Sequence, residues 1–408
     1  MTTVELMLGE PAAGGGFVAR DPGGRVVFVR HGISGERVIA SITEEHPTWA
    51  RADVVEVLEA SPDRVETPCM YAGAGGCGGC DYQHIALPAQ RGIKTRLLAA
   101  QLHGVAGMAA DVVVEPVAED AGGLATRTRV RFAVDPDGHL AMHRHRSHDL
   151  VAVERCALGV TRITSQDLAA RRWTPRGEVE ITSLAGSEAP TVVTTLVEAA
   201  PGPPGARRRS TEVLDEPGFA VRQSTTVRDA TYTVSAGVFW QVHERAAGLL
   251  VDEVLTGLEL AAGDRVVDLY CGAGLFTRAT GAVVGPTGSV VGIDGSRAAI
   301  ADARANLQGL AWAKVSASRV DRRSVEQVMG GATHVVLDPP RHGADRGALM
   351  AVGAAETVRR VVSVSCDAAT FARDLRILLD AGFCVRSIRA FDLFEMTEHF
   401  EMVAVLER

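Results

Sequence analysis

After Val238 the chain alternates short apolar runs with stretches of helical periodicity, and this alternation constrains the fold more than any other feature. Strands joined through helices pair in parallel, with the crossover helices covering the sheet. Buried strands are expected at 266–269, 290–294, 334–338 and 361–365, with a last one at 400–406. Ahead of them Val242, Ala246, Leu249, Leu250 and Val254 fall on one face of a helix. The expected class is α/β: a Rossmann-like, doubly wound domain over residues 236–408.

In such sheets ligands bind outside the carboxyl ends of the strands, so the residues there carry the functional argument. The first strand runs into Asp268-Leu269-Tyr270-Cys271-Gly272-Ala273-Gly274 and opens a helix. Gly272 and Gly274 permit close approach of a ligand to the backbone. The next strand ends in Asp294, placed to accept hydrogen bonds from a ribose diol. Thr277 stands where a dinucleotide fingerprint has its third glycine, so S-adenosylmethionine fits better than a nicotinamide cofactor. Two further strands end in Asp338-Pro339-Pro340-Arg341 and Ser365-Cys366, which directs a carboxylate and a thiol to the same crevice. A helix starting near Ala368 is expected to favour thiolate at Cys366. Cys384 reads as a small buried hydrophobe.

The rest of the chain divides in two. Residues 1–62 carry short β-type runs between glycine-rich turns, the pattern of a small OB-type barrel. Residues 63–235 form a mixed central domain, with a helix near 88–102, β-alternation through 126–132, and a Pro/Gly loop at 199–205. No signal peptide or membrane span is evident, so a cytoplasmic monomer without a membrane partner is expected.

Seven cysteines without a secretion signal do not form a disulfide framework. Cys69, Cys77, Cys80 and Cys156 supply four thiolates, enough for an iron–sulfur cluster or an all-cysteine zinc site, and spacing alone modestly favours zinc. The net charge of −8 excludes a surface coated in positive charge, so any nucleic-acid contact is local. Arg127, Arg129 and Arg131 alternate along one strand, with Arg144 and Arg146 shortly after. They form a one-sided basic strip suited to phosphates, although a solvated sheet face explains such alternation equally well.

Taken together, Phe239-Trp240-Gln241-Val242, Asp268 to Gly274, Asp338-Pro339-Pro340-Arg341, Ser365-Cys366 and His399-Phe400-Glu401 resemble the RNA 5-methyluridine methyltransferases in order and spacing. The N-terminal region is similar to their TRAM domain through Gly14-Gly15-Gly16 and Ser34 to Val38. The resemblance implies an S-adenosylmethionine-dependent transfer to uracil C5 in RNA, ribosomal RNA favoured over transfer RNA. It implies Cys366 as nucleophile and Glu401 as the base that takes the C5 proton. The same resemblance implies that Gln241, Tyr270, Asp294 and Asp338 contact cofactor or uracil, and Arg341 is a further expected RNA contact. The continuation Asp81-Tyr82-Gln83-His84 resembles the family's iron–sulfur segment and tips the cysteine site towards a structural [4Fe–4S] cluster, with zinc as the alternative.

Four positions depart from the family pattern: Asp367-Ala368 replaces Asn-Pro, Glu395 replaces proline, and Asp294 replaces glutamate. A carboxylate at Asp367, if close, would disfavour thiolate. RNA cytosine-5 methyltransferases resemble this domain but usually carry a second cysteine beside the Asp-Pro-Pro position, and the segment Asp338 to Gly343 has none. The competing reading of another class is a catalytically silent RNA-binding protein that keeps the fold.

Overall fold

A computed structural model describes residues 2–117, 122–199 and 207–408. The Pro/Gly stretch at 200–205 therefore lies outside the described residues. No helix is long and apolar enough to cross a membrane among them.

The N-terminal unit is a six-stranded sheet of β1 (Thr3–Met7), β2 (Pro11–Ala12), β3 (Gly16–Arg20), β4 (Val26–Arg30), β5 (Arg37–Glu45) and β6 (Trp49–Glu59), in the order β1-β5-β6-β4-β3-β2. Period-2 alternation puts Phe17, Val27, Val29, Val38, Ala40, Ala50 and Ala52 on one inner face. Register shifts along β5 and β6 add the local twist that lets so short a sheet enclose a core. The fold of the linking segment is fixed by a buried carboxylate: Glu36 accepts from the Ile33 and Ser61 amides and from Arg64.

Helix α1 (Leu87–Gln101) starts with proline in its first turn and ends in a π-helical turn at Leu102–Ala106. Its apolar residues are divided among neighbours: Leu87 packs against Cys80, Leu158 and Met396, and Ile93 joins the core of the N-terminal sheet. Leu98, Leu102 and Ala106 are buried in the core of the C-terminal sheet, and β7 (Val114–Glu115) pairs with that sheet's edge. A second six-stranded sheet comprises β8 (Arg129–Val134), β9 (Leu140–His143), β10 (Leu150–Ala152), β11 (Gly177–Thr182), β12 (Thr191–Ala199) and β13 (Arg207–Val213), with the single turn α2 (Thr161–Thr164) beside it. The hairpin of β14 (Arg222–Val227) and β15 (Ala230–Ser235) leads into the last domain.

That domain contains α3 (Ala246–Leu258), β16 (Arg265–Leu269), α4 (Leu275–Val284), β17 (Ser289–Asp294), α5 (Arg297–Asn306), β18 (Ala313–Ala317), α6 (Arg322–Val328), β19 (His334–Leu337), α7 (Arg346–Ala354), β20 (Arg360–Ser365), α8 (Ala368–Asp380), β21 (Cys384–Phe391) and β22 (Glu401–Glu407). Its sheet runs β18-β17-β16-β19-β20-β22-β21-β7, parallel from β18 to β20, with β22 inserted antiparallel beside β20. The five expected strands are present. Their unbroken apolar runs are buried on both faces, by α3 and α4 on one and by α7 and α8 on the other.

Two expectations need correction. Val242 is not part of α3, which begins at Ala246. Residues 241–245 instead form an irregular crossing held by Thr128, whose amide and hydroxyl both donate to the Val242 carbonyl. Cys384 is exposed, because β21 is near the sheet edge and its first residues face solvent.

Candidate active site

A cavity of about 1170 Å³ opens at the carboxyl ends of β16, β17, β19 and β20. Gln241, Tyr270, Gly272, Asp294, Asp338, Arg341, Cys366 and Glu401 all line it. Gly274 is set back from it. With φ at 86° it turns the chain into α4, and a side chain there would sit 3.2 Å from Ala303, so its role is close helix packing.

The β16 end holds its ligand-facing backbone through strain and hydrogen bonds. Tyr270 adopts a left-handed φ of 67°, while its amide and that of Cys271 both donate to Ile293 O. Asp294 is fixed from two sides: Gly272 N donates to one carboxylate oxygen at 3.1 Å and Ser296 N to the other at 2.7 Å. A roof is supplied by residues 237–242. Asp302 and Asn306 of α5 bond the β15 backbone at Ser235 and Thr233, which anchors the hairpin above the sheet. Beyond that anchor Gln241 Nε2 donates to Asp338 Oδ2 at 3.1 Å. Phe239 projects from the roof into solvent, 53% exposed.

Strand pairing decides where Cys366 and Glu401 stand. β20 and β22 are antiparallel with Ser365 opposite Met402, so Cys366, the residue that follows β20, comes beside Glu401, the first of β22. Glu401 is only 5% exposed and is not a solvated strand end. Burial, then the neighbouring Asp338 carboxylate, push its carboxyl well above the usual range, with Arg341 acting against them. Burial also raises Asp338 to about 7, offset in part by the Gln241 hydrogen bond.

The expectation of a thiolate at Cys366 is overturned for the ligand-free chain. Burial and then Glu401 push the thiol up to about 12, Asp338 and Asp367 add to this, and Arg341 opposes it. The helix end does not compensate because Asp367 occupies the N-cap of α8, its carboxylate accepting from Thr370 N at 2.9 Å. The positive end of the helix is thereby satisfied by Asp367 itself.

Residues 213–408 match the family model described as tRNA (Uracil-5-)-methyltransferase. A Streptomyces avermitilis protein named as an RNA methyltransferase is 41% identical over 438 residues, covering 99% of this chain and 98% of its own. The 23S rRNA (uracil(1939)-C(5))-methyltransferase RlmD of Chromohalobacter salexigens is 31% identical over 422 residues, 96% of this chain and 86% of that protein. The chain belongs to the RNA uracil-C5 methyltransferase family. It also shares its fold with the Pyrococcus abyssi tRNA (uracil-54, C5)-methyltransferase, solved with S-adenosyl-L-homocysteine. The TM-score is 0.68 over 98% of this chain and 99% of that one, at 21% identity. The C-terminal domain of this methyltransferase is thus a Rossmann-like methyltransferase fold preceded by an N-terminal β-domain.

A second cavity of the methyltransferase, about 540 Å³, shares Val242, Arg341 and Phe394 with the first. Cys69, Cys77, Cys80 and Cys156 all line it, as do Arg127, Arg129 and Arg131. The arginine strip is real but partly neutralised. Arg129 and Arg131 both pair with Glu180 of β11, at 2.6 and 2.7 Å, so one carboxylate offsets one of their two positive charges. Arg144 and Arg146 are exposed in the turn between β9 and β10, and they do not line the cavity.

Sequence reasoning missed Arg319 and Val320, which line the catalytic cavity just beyond β18. The strand-end rule would have found them had Ala313–Ala317 been read as a strand. Asp345 and Arg373 also line it, and nothing local in the sequence marked them.

Proposed function

We propose that this methyltransferase moves a methyl group from S-adenosylmethionine to C5 of one uridine in RNA through a covalent bond between Cys366 and C6. The observation that carries the reading is the pairing of β20 with β22, which sets the Cys366 thiol beside the Glu401 carboxyl in a cavity that also holds Asp294 and Asp338. Uracil C5 is a poor nucleophile. Addition of the Cys366 sulfur to C6 makes the ring an enolate, and its C5 takes the methyl as the sulfonium bond breaks. Glu401 then accepts the C5 proton, the C5–C6 double bond re-forms, and the sulfur leaves.

The residues suit each step. Asp294 presents a carboxylate fixed by two amides to a ribose diol. The raised pKa makes ionised Glu401 a stronger base than an ordinary glutamate, and because it also keeps the carboxyl protonated in the free chain, that proton must pass to solvent before Glu401 can take the one from C5. Burial disfavours thiolate at Cys366 in the free chain, whereas Arg341, which acts on both Cys366 and Glu401, favours its formation, the thiol proton passing to solvent.

All four thiols line one cavity, and this carries the reading of a cysteine-bound centre, although among the described residues no three His, Cys, Asp or Glu side chains converge to hold a metal ion. Cys69, Cys77, Cys80 and Cys156 would hold a [4Fe–4S] cluster, whose service here is to shape the surface between the N-terminal sheet, read as a TRAM domain, and the catalytic cavity.

Ribosomal RNA is the favoured substrate, because the named relative covering most of this chain acts on 23S rRNA. Mapping 5-methyluridine in ribosomal and transfer RNA from cells with and without the gene tests this. Loss of a methyl group from transfer RNA alone would contradict the ribosomal assignment. Loss from neither, with the gene expressed, would favour a silent RNA-binding protein.

A further inference from the structure

The segment between β21 and β22 leads directly into Glu401, and besides local turns at Leu393 and Thr397 it is held by parts of the chain remote in sequence. Lys94 of α1, buried, contacts Asp392 at 2.5 Å and the Phe394 carbonyl at 3.2 Å. Gln90 accepts from Met396 N at 2.9 Å, and the amides of Asp81 and Tyr82 both donate to Met396 O. Met396 itself is held at a left-handed φ of 65°. These contacts fix the middle of the loop.

The last stretch before Glu401 has a different kind of anchor. Glu398 Oε2 accepts from Gly14 N at 2.5 Å and from Gly15 N at 2.9 Å, both in the turn between β2 and β3 of the N-terminal sheet. Gly14 and Gly15 have φ of 93° and 72°, so two successive amides point into one concavity, the backbone nest that selects an anionic oxygen. Glycine is required at Gly15 on a second ground: a Cβ there would lie 2.6 Å from Asp81. Asp81 closes the arrangement. It pairs with Arg30 of β4 at 3.2 Å and accepts from Glu398 N at 3.4 Å.

We infer that Glu398 is a positioning residue for the general base, tying the loop that carries Glu401 to the Gly14–Gly15 nest of the N-terminal sheet. The inference rests on the reading of Glu401 as the base. Only two residues separate Glu398 from Glu401, too few to absorb a displacement of the anchor before it reaches the catalytic carboxylate. The nucleophile is not tied in this way, since Cys366 is fixed by β20 and the N-cap of α8. Loss of the anchor therefore slows proton removal selectively. Sulfur addition and methyl transfer proceed, and the methylated adduct accumulates. A purely structural role for the contact would lower stability without changing which intermediate builds up.

The test compares Glu398→Ala, Glu398→Gln and Glu401→Gln in the full chain, with labelled substrate RNA on denaturing gels. For Glu398→Ala we expect turnover lower by about 10- to 100-fold, as for a catalytic group displaced by about 1 Å. A protein-linked RNA band above the wild-type level should accompany it, with donor affinity unchanged. Glu398→Gln keeps an acceptor oxygen for the nest and should recover most of the turnover. Should Glu398→Ala fold poorly, Gly14→Ala disturbs the nest from the other side, where a Cβ has its nearest neighbour at 3.5 Å and the strain lies in φ alone. An adduct in Glu401→Gln with none in Glu398→Ala, or none in Gly14→Ala where that variant stands in, overturns this inference only. No adduct in Glu401→Gln overturns the assignment of the base, and this inference with it.

Discussion

The two cavities that meet at Val242, Arg341 and Phe394 are built on opposite principles. The catalytic one is walled by carboxylates on the ends of parallel strands, and its geometry comes from a buried, locally encoded sheet. The cysteine-lined one is walled by thiols and arginines from segments far apart in the chain. The first carries the carboxyl groups and the second the arginines, and Arg341 lines both.

Removing the nucleophile should separate the functions of the catalytic cavity most sharply. In Cys366→Ala methyl transfer should fall to background while calorimetry finds donor affinity within about two-fold of wild type, since the sulfur acts on uracil and not on the donor. Wild-type turnover in this variant would contradict the covalent mechanism.

The boundary is tested by Arg341→Gln. It should lower kcat/KM for RNA by about 10- to 100-fold with donor binding unchanged. It should also reduce the salt dependence of RNA binding by about one phosphate contact. An unchanged salt dependence would place Arg341 wholly in the catalytic chamber.

The cysteine cavity is tested by colour. Anaerobically purified protein should be brown, and Cys77→Ser or Cys80→Ser should lose the visible absorption. Colourless protein with one equivalent of zinc would refute the cluster.

How much of this was legible in the sequence follows the same division. The strand ends at Leu269, Asp294, Leu337 and Ser365 could be read because apolar runs buried on both faces need no long-range information. β18 and β21 could not, because near the sheet edges half their residues face solvent and the apolar run is broken. The arginine strip could be read from alternation, but its neutralisation by Glu180, some 50 residues away, could not. The thiolate expectation failed for a related reason. A helix N-terminus is visible in sequence, whereas the burial and facing carboxylate that dominate Cys366 arise from pairing with β22. The Glu398 anchor joins residues 384 apart in the chain and left no local trace.

A smaller effect is expected at the floor of the acidic chamber. Asp268 is buried with one oxygen unpartnered and Thr277 bonded to the other, and burial raises its carboxyl to about 7. Between about pH 4 and pH 7 the unfolded chain has released this proton while the folded one retains it, so this group makes stability fall as pH rises through that window and level off above it. The upper bound is about 4 kcal/mol. Asp268→Asn should therefore show a flatter dependence of denaturation midpoint on pH from 4 to 7 than wild type. Parallel curves would show that Asp268 ionises at an ordinary pH in the fold.

The central claim, that Cys366 and Glu401 act in sequence on one uracil, is tested most directly by trapping. Glu401→Gln should still add sulfur and move the methyl, leaving a C5 proton without its base. Loss of a general base costs about 10²- to 10⁴-fold in rate, enough for the adduct to accumulate. Denaturing gels with labelled RNA should show a protein-linked band in Glu401→Gln that disappears when Cys366 is also replaced. Release of methylated RNA from Glu401→Gln at the wild-type rate would contradict the account.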